Sequence, residues 1–497
     1  MIMANHSELL ERLGAVLGPK GLTRDDAEMA PWLEDWRRRY RGAALAMASP
    51  ASTEEVAAVV GLCAAARVPI VPQGGNTSMV AGATPSEDGG SLLLSLRRMD
   101  RIRSISPQNN VAVCEAGVVL ARLHDAAAVQ GRRFPLTLGA RGSATIGGLV
   151  STNAGGTQVL RFGTMRGLVQ GVEAVLPDGT IFDGLAPLKK DNRGYDLRQL
   201  LIGAEGTLGV ITAASLKLVP AIGSRAVAWV GVASPEKALE LLHLLTSSMG
   251  DAIETFELVP RSALELVLAH IPGTRAPLES VHEWHVLVEA AAPMVAPDPE
   301  KALTAALHSA LGTNLIRDAA IAASEAQAEA FWRIRDSISE AEQKDGPAVK
   351  HDLSVEVPSM PGFIIEGSAA VEGRFDGVRV IAFGHLGDGN VHFNVRAPQG
   401  VGPEWLQSQG PIVTRYVHDL VVDAGGSISA EHGIGQMRLG ELARLTDPTR
   451  LRMLRAIKQA IDPDNIMNPG KLVPPDPDAV ADPEPVQASL AEAAVQP

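Results

Sequence analysis

Behind Ser52 and Glu55, which stand at capping-box separation, Val56, Val59, Val60 and Leu62 or Cys63 recur at helical spacing. The pattern predicts a helix over 52–67, then a short apolar strand at 68–72 running into a glycine-rich segment. Apolar runs at 91–96, 111–116, 169–176 and 209–218, punctuated by Gly, Asn and Asp, read as further strands of a mixed α/β region. From Arg225 the glycines thin out. Strand patterns at 227–233, 253–258 and 284–290 alternate with helical patterns at 235–247, 299–311 and 324–342, which predicts a second unit: an α+β layer with helices on one face of a sheet. An apolar strand at 378–383 leads into another glycine-rich turn, and a last helix at 449–461 ends at Asp462-Pro463. The tail from Val473 mixes Pro with Ala, Glu and Asp, has too few apolar residues to pack, and reads as disordered.

Composition narrows the function classes. A chain of 497 residues, 46% hydrophobic, can bury two or three domain cores. A net charge of -13 argues against a nucleic-acid partner, because phosphate binding needs a basic face. Two cysteines, Cys63 and Cys114, are too few for a disulfide framework or a cysteine-based metal cluster and fit a reducing cytoplasm. The first residues lack the pattern of an export signal, and no apolar stretch reaches spanning length, so a cytoplasmic protein without a membrane span is expected.

Three segments offer main-chain N–H groups without side-chain obstruction: Gln73-Gly-Gly-Asn-Thr-Ser78, Gly139-Ala-Arg-Gly-Ser-Ala-Thr-Ile-Gly-Gly148 and Thr152-Asn-Ala-Gly-Gly156. Each alone reads equally well as a turn. Together, with their Asn-Thr and Thr-Asn companions, they suit a pyrophosphate, although none has the Rossmann or Walker spacing.

A second constellation is chemical. His385-Leu-Gly-Asp-Gly-Asn-Val-His392 sets two imidazoles across a glycine turn, and Ser429-Ala-Glu-His-Gly-Ile434 adds Glu431 and His432. Mixed His and carboxylate ligands suit zinc or a similar divalent ion. Hydrogen-bonded structural histidines and a zinc-dependent hydrolase remain competing readings. On the predicted helix Arg335 and Ser339 are four apart and share a face, so they can grip one anion; a solvated charged face is the alternative.

Pro72-Gln-Gly-Gly-Asn-Thr-Ser78, Ile146-Gly-Gly to Asn153-Ala-Gly-Gly156, Val172-Glu-Ala-Val-Leu-Pro-Asp-Gly179 and Ile202-Gly-Ala-Glu-Gly-Thr-Leu-Gly-Val-Ile211 resemble, in order, the FAD-binding motifs of the vanillyl-alcohol oxidase and p-cresol methylhydroxylase type of flavoprotein. The resemblance runs from about residue 44 to 472. It implies an α+β protein with an N-terminal helical segment (1–43), a FAD-binding domain (44–222), a ferredoxin-like substrate cap domain carrying the metal site (223–430), a C-terminal segment closing the active site (431–472) and the tail (473–497). It places Gly74, Gly75, Asn76, Thr77 and Ser78 at the FAD pyrophosphate, and Ser143, Gly147, Asn153, Gly156, Glu205 and Ile211 around the rest of the cofactor. Members that bind flavin covalently often carry His where Asn76 stands, so noncovalent FAD is expected.

The C-terminal motifs are similar to those of FAD-linked D-2-hydroxy acid dehydrogenases, which implies that His385, His392 and Glu431 hold a divalent metal, zinc first, and that His432 contacts the substrate and takes its proton. The stretch from Arg335 resembles that of D-2-hydroxyglutarate dehydrogenases, where Arg, Thr and a Lys fifteen residues after the Arg bind substrate. Arg335 and Lys350 keep that spacing, Ser339 replaces the Thr, and Asn394 stands where an Asn contacts substrate. A second cation favours 2-hydroxyglutarate or malate over lactate or glycolate; a D-lactate or glycolate dehydrogenase of the same fold is the nearest alternative. The family further suggests electron-transfer flavoprotein or a quinone-linked carrier as electron acceptor, and a homodimer.

Overall fold

The computed structural model describes residues 2–476. The helix Thr53–Ala66 starts where capping predicts: Ser52 Oγ accepts from the Glu55 N–H at 3.2 Å, and the Glu55 carboxylate reaches back to the Ala51 N–H at 2.7 Å. Its buried Val56, Val59, Val60 and Cys63 pack on Ile70, Leu92 and Leu94 of a four-stranded sheet, ordered Leu22–Thr23, Ala46–Ala48, Leu92–Ser95 and Ile70–Gln73. Full burial of each such side chain is worth about 1.5–3 kcal/mol. An antiparallel five-stranded sheet follows, ordered Ile102–Ser106, Val111–Glu115, Val210–Lys217, Val169–Val175 and Ile181–Gly184. Cys63 and Cys114 are buried in the two separate cores.

The second unit is a seven-stranded antiparallel sheet, ordered Asp318–Ile321, Ser224–Val232, Trp284–Ala292, Ile253–Pro260, Arg379–His385, Asn390–Arg396 and Ala348–Ser354. The expected single layer of helices is corrected here, because helices cover both faces. Ala228, Val230, Val286 and Val288 meet Pro235–Met249 and Pro299–Gly312 on one side, whereas Val227, Trp229 and Leu287 meet Arg261–His270 and Glu325–Asp336 on the other. The cause is in the strands themselves: alternate residues point to opposite faces, and both sets are apolar.

The predicted helix at 324–342 is two helices, Glu325–Asp336 and Ile338–Asp345, hinged at Ser337, whose ψ is -3°. The helices Met360–Arg374 and Gly410–Asp423 were not anticipated. The C-terminal helix Pro448–Ile461 returns to the first unit. Ile457 and Ile461 lean on its core, Met467 bridges to Ile70, and Lys458 Nζ donates to the Thr207 carbonyl at 2.9 Å. The two units are also clamped by charge, since Arg133 and Arg161 of the first both meet the buried Glu254 of the second. Of the expected unpacked tail, residues 477–497 lie outside the described residues; Pro474 and Pro475 accept hydrogen bonds from Arg455. Among the described residues no helix is long and apolar enough to cross a membrane.

Candidate functional site

The glycine loops meet backbone to backbone. A Cβ on Gly74 would lie 2.1 Å from Thr145 Oγ1, and one on Gly75 would lie 1.9 Å from the Ser143 carbonyl oxygen, so only glycine fits. Gly147 and Gly156 are crowded in the same way, by Ala116 and by the Thr137 carbonyl. Asn76, Asn153 and Glu205 all have φ near +50°, a conformation that costs free energy and turns the chain sharply at each loop. Thr145 Oγ1 is buried beside Gly74 with no hydrogen-bond partner. A cradle of convergent backbone with an unsatisfied hydroxyl at its wall fits a phosphate-bearing cofactor.

Several side chains assigned to the cofactor have other partners. Asn76 Nδ2 donates to the Glu34 carbonyl at 2.9 Å, which ties the N-terminal segment to the loop. Ser78 Oγ accepts from the N–H groups of Val80 and Gly82, and Ser143 Oγ donates to the Ala140 carbonyl. Asn153 Oδ1 accepts from the Arg166 N–H at 2.9 Å, and Ile211 is buried in the sheet core. Thr77 stays half-buried in the loop. The two oxygens of Glu205 accept from the N–H groups of Ile434 and Gly435, each at 2.8 Å, so the carboxylate fastens the C-terminal loop to the first unit.

The histidine site grows from strand register. Glu257 faces His385, and His385 faces Asn390; on the next rung Phe383 faces His392, which faces Asp352; on the third Ile381 faces Asn394, which faces Lys350. Alternation puts all of these on one face of the sheet. The loop bearing Glu431 and His432 is sewn to the outer strand by reciprocal Ser354 and Ser427 backbone bonds at 3.1 and 2.8 Å. His385 and His392 stand edge to face with ring centroids 5.4 Å apart, and Glu431 Oε1 lies 3.7 Å from His385 Nε2. His385 Nδ1 is bonded to Glu257 Oε1 at 2.6 Å, and Glu257 Oε2 accepts from Arg335 Nε at 2.7 Å.

Burial alone would lower the His385 pKa, but the adjoining Glu257 carboxylate raises it to about 9. Burial, with the His385 and Arg335 charges, pushes His392 well below the usual imidazole range, so it stays neutral. Burial raises Glu431, whereas His385 and Arg335 overcome burial and hold Glu257 down at about 2. Burial is the largest influence on His432; Asp352 opposes it, Arg438, Arg37 and Arg39 add to it, and the imidazole is held at about 4. A neutral His432 can accept a proton.

The three His or carboxylate groups whose ligand atoms come within 4.8 Å of one another, among the described residues, are Asp352, Glu431 and His432 rather than the predicted trio. Asp352 is a poor ligand nonetheless. Its Oδ1 accepts from Asn390 Nδ2 at 3.0 Å, and its Oδ2 accepts from the N–H groups of Glu431 and His432 at 2.9 Å. His385 Nε2, by contrast, has its ring fixed from behind by Glu257, the usual support for a metal-binding imidazole. His385, His392 and Glu431 are donors of the kind a divalent metal takes, and His385 Nε2 lies 3.7 Å from Glu431 Oε1, but their ligand atoms do not all come within 4.8 Å of one another.

The residues expected to grip the substrate's anionic groups are arranged differently from the expectation. Arg335 is buried on Glu257, over the Phe383 ring, while Ser339 on the second helix is exposed, so the kink at Ser337 separates them. Lys350 Nζ pairs with the buried Glu342 at 3.1 Å, and Asn394 Nδ2 donates to the same carboxylate at 2.8 Å. Glu257, Asp352, Glu342 and Arg438 were missed. The visible signal was an acidic residue inside a buried strand, as at Glu257.

Residues 44–184 match the model of a FAD binding domain, and residues 223–472 that of the C-terminal domain of FAD linked oxidases. The mitochondrial D-2-hydroxyglutarate dehydrogenase of Arabidopsis thaliana is 36% identical over 92% of this chain and 80% of its own length. The D-2-hydroxyglutarate dehydrogenase of Xanthomonas citri pv. viticola is also 36% identical, over 91% of this chain and 94% of its own. A putative mitochondrial D-lactate dehydrogenase of Schizosaccharomyces pombe is 33% identical over 93% and 88%. Among solved structures, p-cresol methylhydroxylase with substrate bound superposes with a TM-score of 0.74 at 15% identity, covering 95% of this chain and 97% of that one, which shows a shared fold. The chain belongs to the FAD-linked oxidase family, as a relative of the D-2-hydroxyglutarate dehydrogenases.

Proposed function

We propose that the chain oxidises D-2-hydroxyglutarate, and D-malate as a shorter analogue, to the 2-oxo acid. FAD, cradled noncovalently by the glycine loops, supplies the hydride acceptor. His385, His392 and Glu431 would hold a divalent metal, zinc first, which would polarise the substrate hydroxyl. His432, neutral and next to Glu431, accepts the hydroxyl proton. The rung of Lys350 and Asn394, beside His392 and Asp352, would receive the distal carboxylate, with Glu342 as the anion that substrate must displace. Electrons would pass on to an electron-transfer flavoprotein or a quinone-linked carrier, from a protein working in the cytoplasm, with a homodimer as the proposed assembly.

The observation that carries this reading is the sheet face itself. One register brings both histidines, an orienting carboxylate and a lysine to a single surface, in a chain whose first unit is a FAD-binding domain. A second reading, a D-lactate dehydrogenase, is favoured by Lys350 already being paired with Glu342. A panel of D- and L-2-hydroxy acids with a dye acceptor tests both. D-2-hydroxyglutarate and D-malate should exceed D-lactate in kcat/KM; a preference for D-lactate would establish the second reading, and turnover of none would overturn both.

A further inference from the structure

Asp352 lies at the centre of the site yet belongs to neither the histidine motif nor the proposed metal set of His385, His392 and Glu431. It sits on the outer strand, 1% exposed. Five groups from four residues converge on it. Asn390 Nδ2 fixes Oδ1 at 3.0 Å, and the consecutive N–H groups of Glu431 and His432 both point at Oδ2 from 2.9 Å. His432 Nδ1 lies 3.4 Å from the same oxygen, and Arg438 Nη1 lies 4.0 Å away. One carboxylate therefore sets the backbone of a metal-ligand candidate and of the neighbouring base at once.

We infer that Asp352 is a positioning residue for proton transfer: it keeps the His432 proton on Nδ1, leaves the Nε2 lone pair free, and balances the charge when Nε2 is protonated. The inference rests on His432 being the base of the proposed reaction. With an anionic oxygen facing Nδ1, the tautomer carrying its proton there is the stabilised one. As the substrate O–H bond breaks, its electron pair would form the carbonyl while the C–H hydride leaves to the bound FAD; the proton forms a bond to Nε2, and the ring becomes an imidazolium whose Nδ1–H faces Asp352 Oδ2. Contact at 3.4 Å is long, and contacts of this kind tighten when substrate binds. The same logic operates in the Ser-His-Asp triad, where an amide in place of the carboxylate keeps the geometry and loses about 10⁴-fold in rate. A clamp alone would predict otherwise, since an amide oxygen can still accept from the two backbone N–H groups.

The test separates charge from scaffold. In Asp352→Asn holoenzyme the rate constant for flavin reduction at saturating D-2-hydroxyglutarate should fall by roughly 10²–10⁴-fold, with metal content, FAD content and substrate Kd within about threefold of the parent. Asp352→Ala should lose metal as well, because the Glu431 N–H then has no acceptor. A reduction rate in Asp352→Asn close to the parent's, or a loss confined to Kd or metal content, would overturn the role. Should the Asn variant fail to fold, Asn390→Ala leaves Asp352 in place but frees its Oδ1. About a tenfold slower reduction with metal retained is then expected, and an unchanged rate would overturn the role equally. The parent run alongside keeps the two ideas apart. If D-2-hydroxyglutarate does not reduce its flavin, the functional reading fails; if the parent is reduced and the variant is as fast, only the role of Asp352 fails.

Discussion

The glycine cradle of the first unit and the sheet face of the second bind by opposite means. In the cradle the backbone is the instrument: Gly74 and Gly75 touch Thr145 and Ser143 so closely that no side chain could intervene, and Asn76, Asn153 and Glu205 turn the chain in left-handed conformations. On the sheet face side chains are the instrument, each held by another before any ligand arrives: His385 by Glu257, Glu257 by Arg335, Lys350 by Glu342, and the Glu431–His432 backbone by Asp352. A backbone site tolerates almost no change in bulk. A side-chain site tolerates bulk better than it tolerates loss of charge, since removing one partner leaves the other buried and uncompensated.

That contrast can be broken in four places. Chelation should abolish turnover while FAD remains bound, and zinc or a similar divalent ion should restore it, if the His and carboxylate groups of the sheet face hold the proposed metal. Full turnover in rigorously metal-free protein would remove that half of the contrast. Next in size, His432→Ala should slow flavin reduction by roughly 10²–10⁴-fold with metal and FAD retained. Gly75→Val should then lower FAD occupancy and destabilise the folded protein by about 1–3 kcal/mol, read as the flavin-to-protein absorbance ratio and as Tm. The same occupancy as the parent would mean that the loops do not form the cradle.

The smallest effect sharpens the comparison most. Lys350→Met should cost about 1–3 kcal/mol of stability, because the buried Glu342 loses its cation and keeps the Asn394 hydrogen bond, and Glu342→Leu added to it should recover most of that. If Lys350 also reaches the substrate, the ratio of kcat/KM for D-2-hydroxyglutarate over D-lactate should stay at least about tenfold below the parent's in the double variant. A ratio restored with stability would make Lys350 structural.

The two regions also differed in how far the sequence revealed them. The cradle was legible because glycine is a backbone statement: where Gly74, Gly75 and Gly147 stand, close approach follows without knowledge of neighbours. The histidines were legible as a motif, and their convergence required only a strand and a return strand. Their supporting carboxylates were not. Glu257 reaches His385 from 128 residues away and Asp352 reaches Glu431 from 79, distances in sequence that only strand order closes. Arg335 and Ser339 were misjudged for a local reason, since a one-residue hinge at Ser337 ends the shared helical face. The tie of Glu205 was hidden for a tertiary one, because its carboxylate is engaged by a loop more than two hundred residues later.

The most direct measurement is anaerobic flavin bleaching in protein loaded with FAD but stripped of metal, mixed with D-2-hydroxyglutarate before and after zinc is added. The account predicts a flavin that stays oxidised until zinc arrives and is then reduced by the D enantiomer and not by the L. Reduction without metal, or by both enantiomers alike, would contradict it.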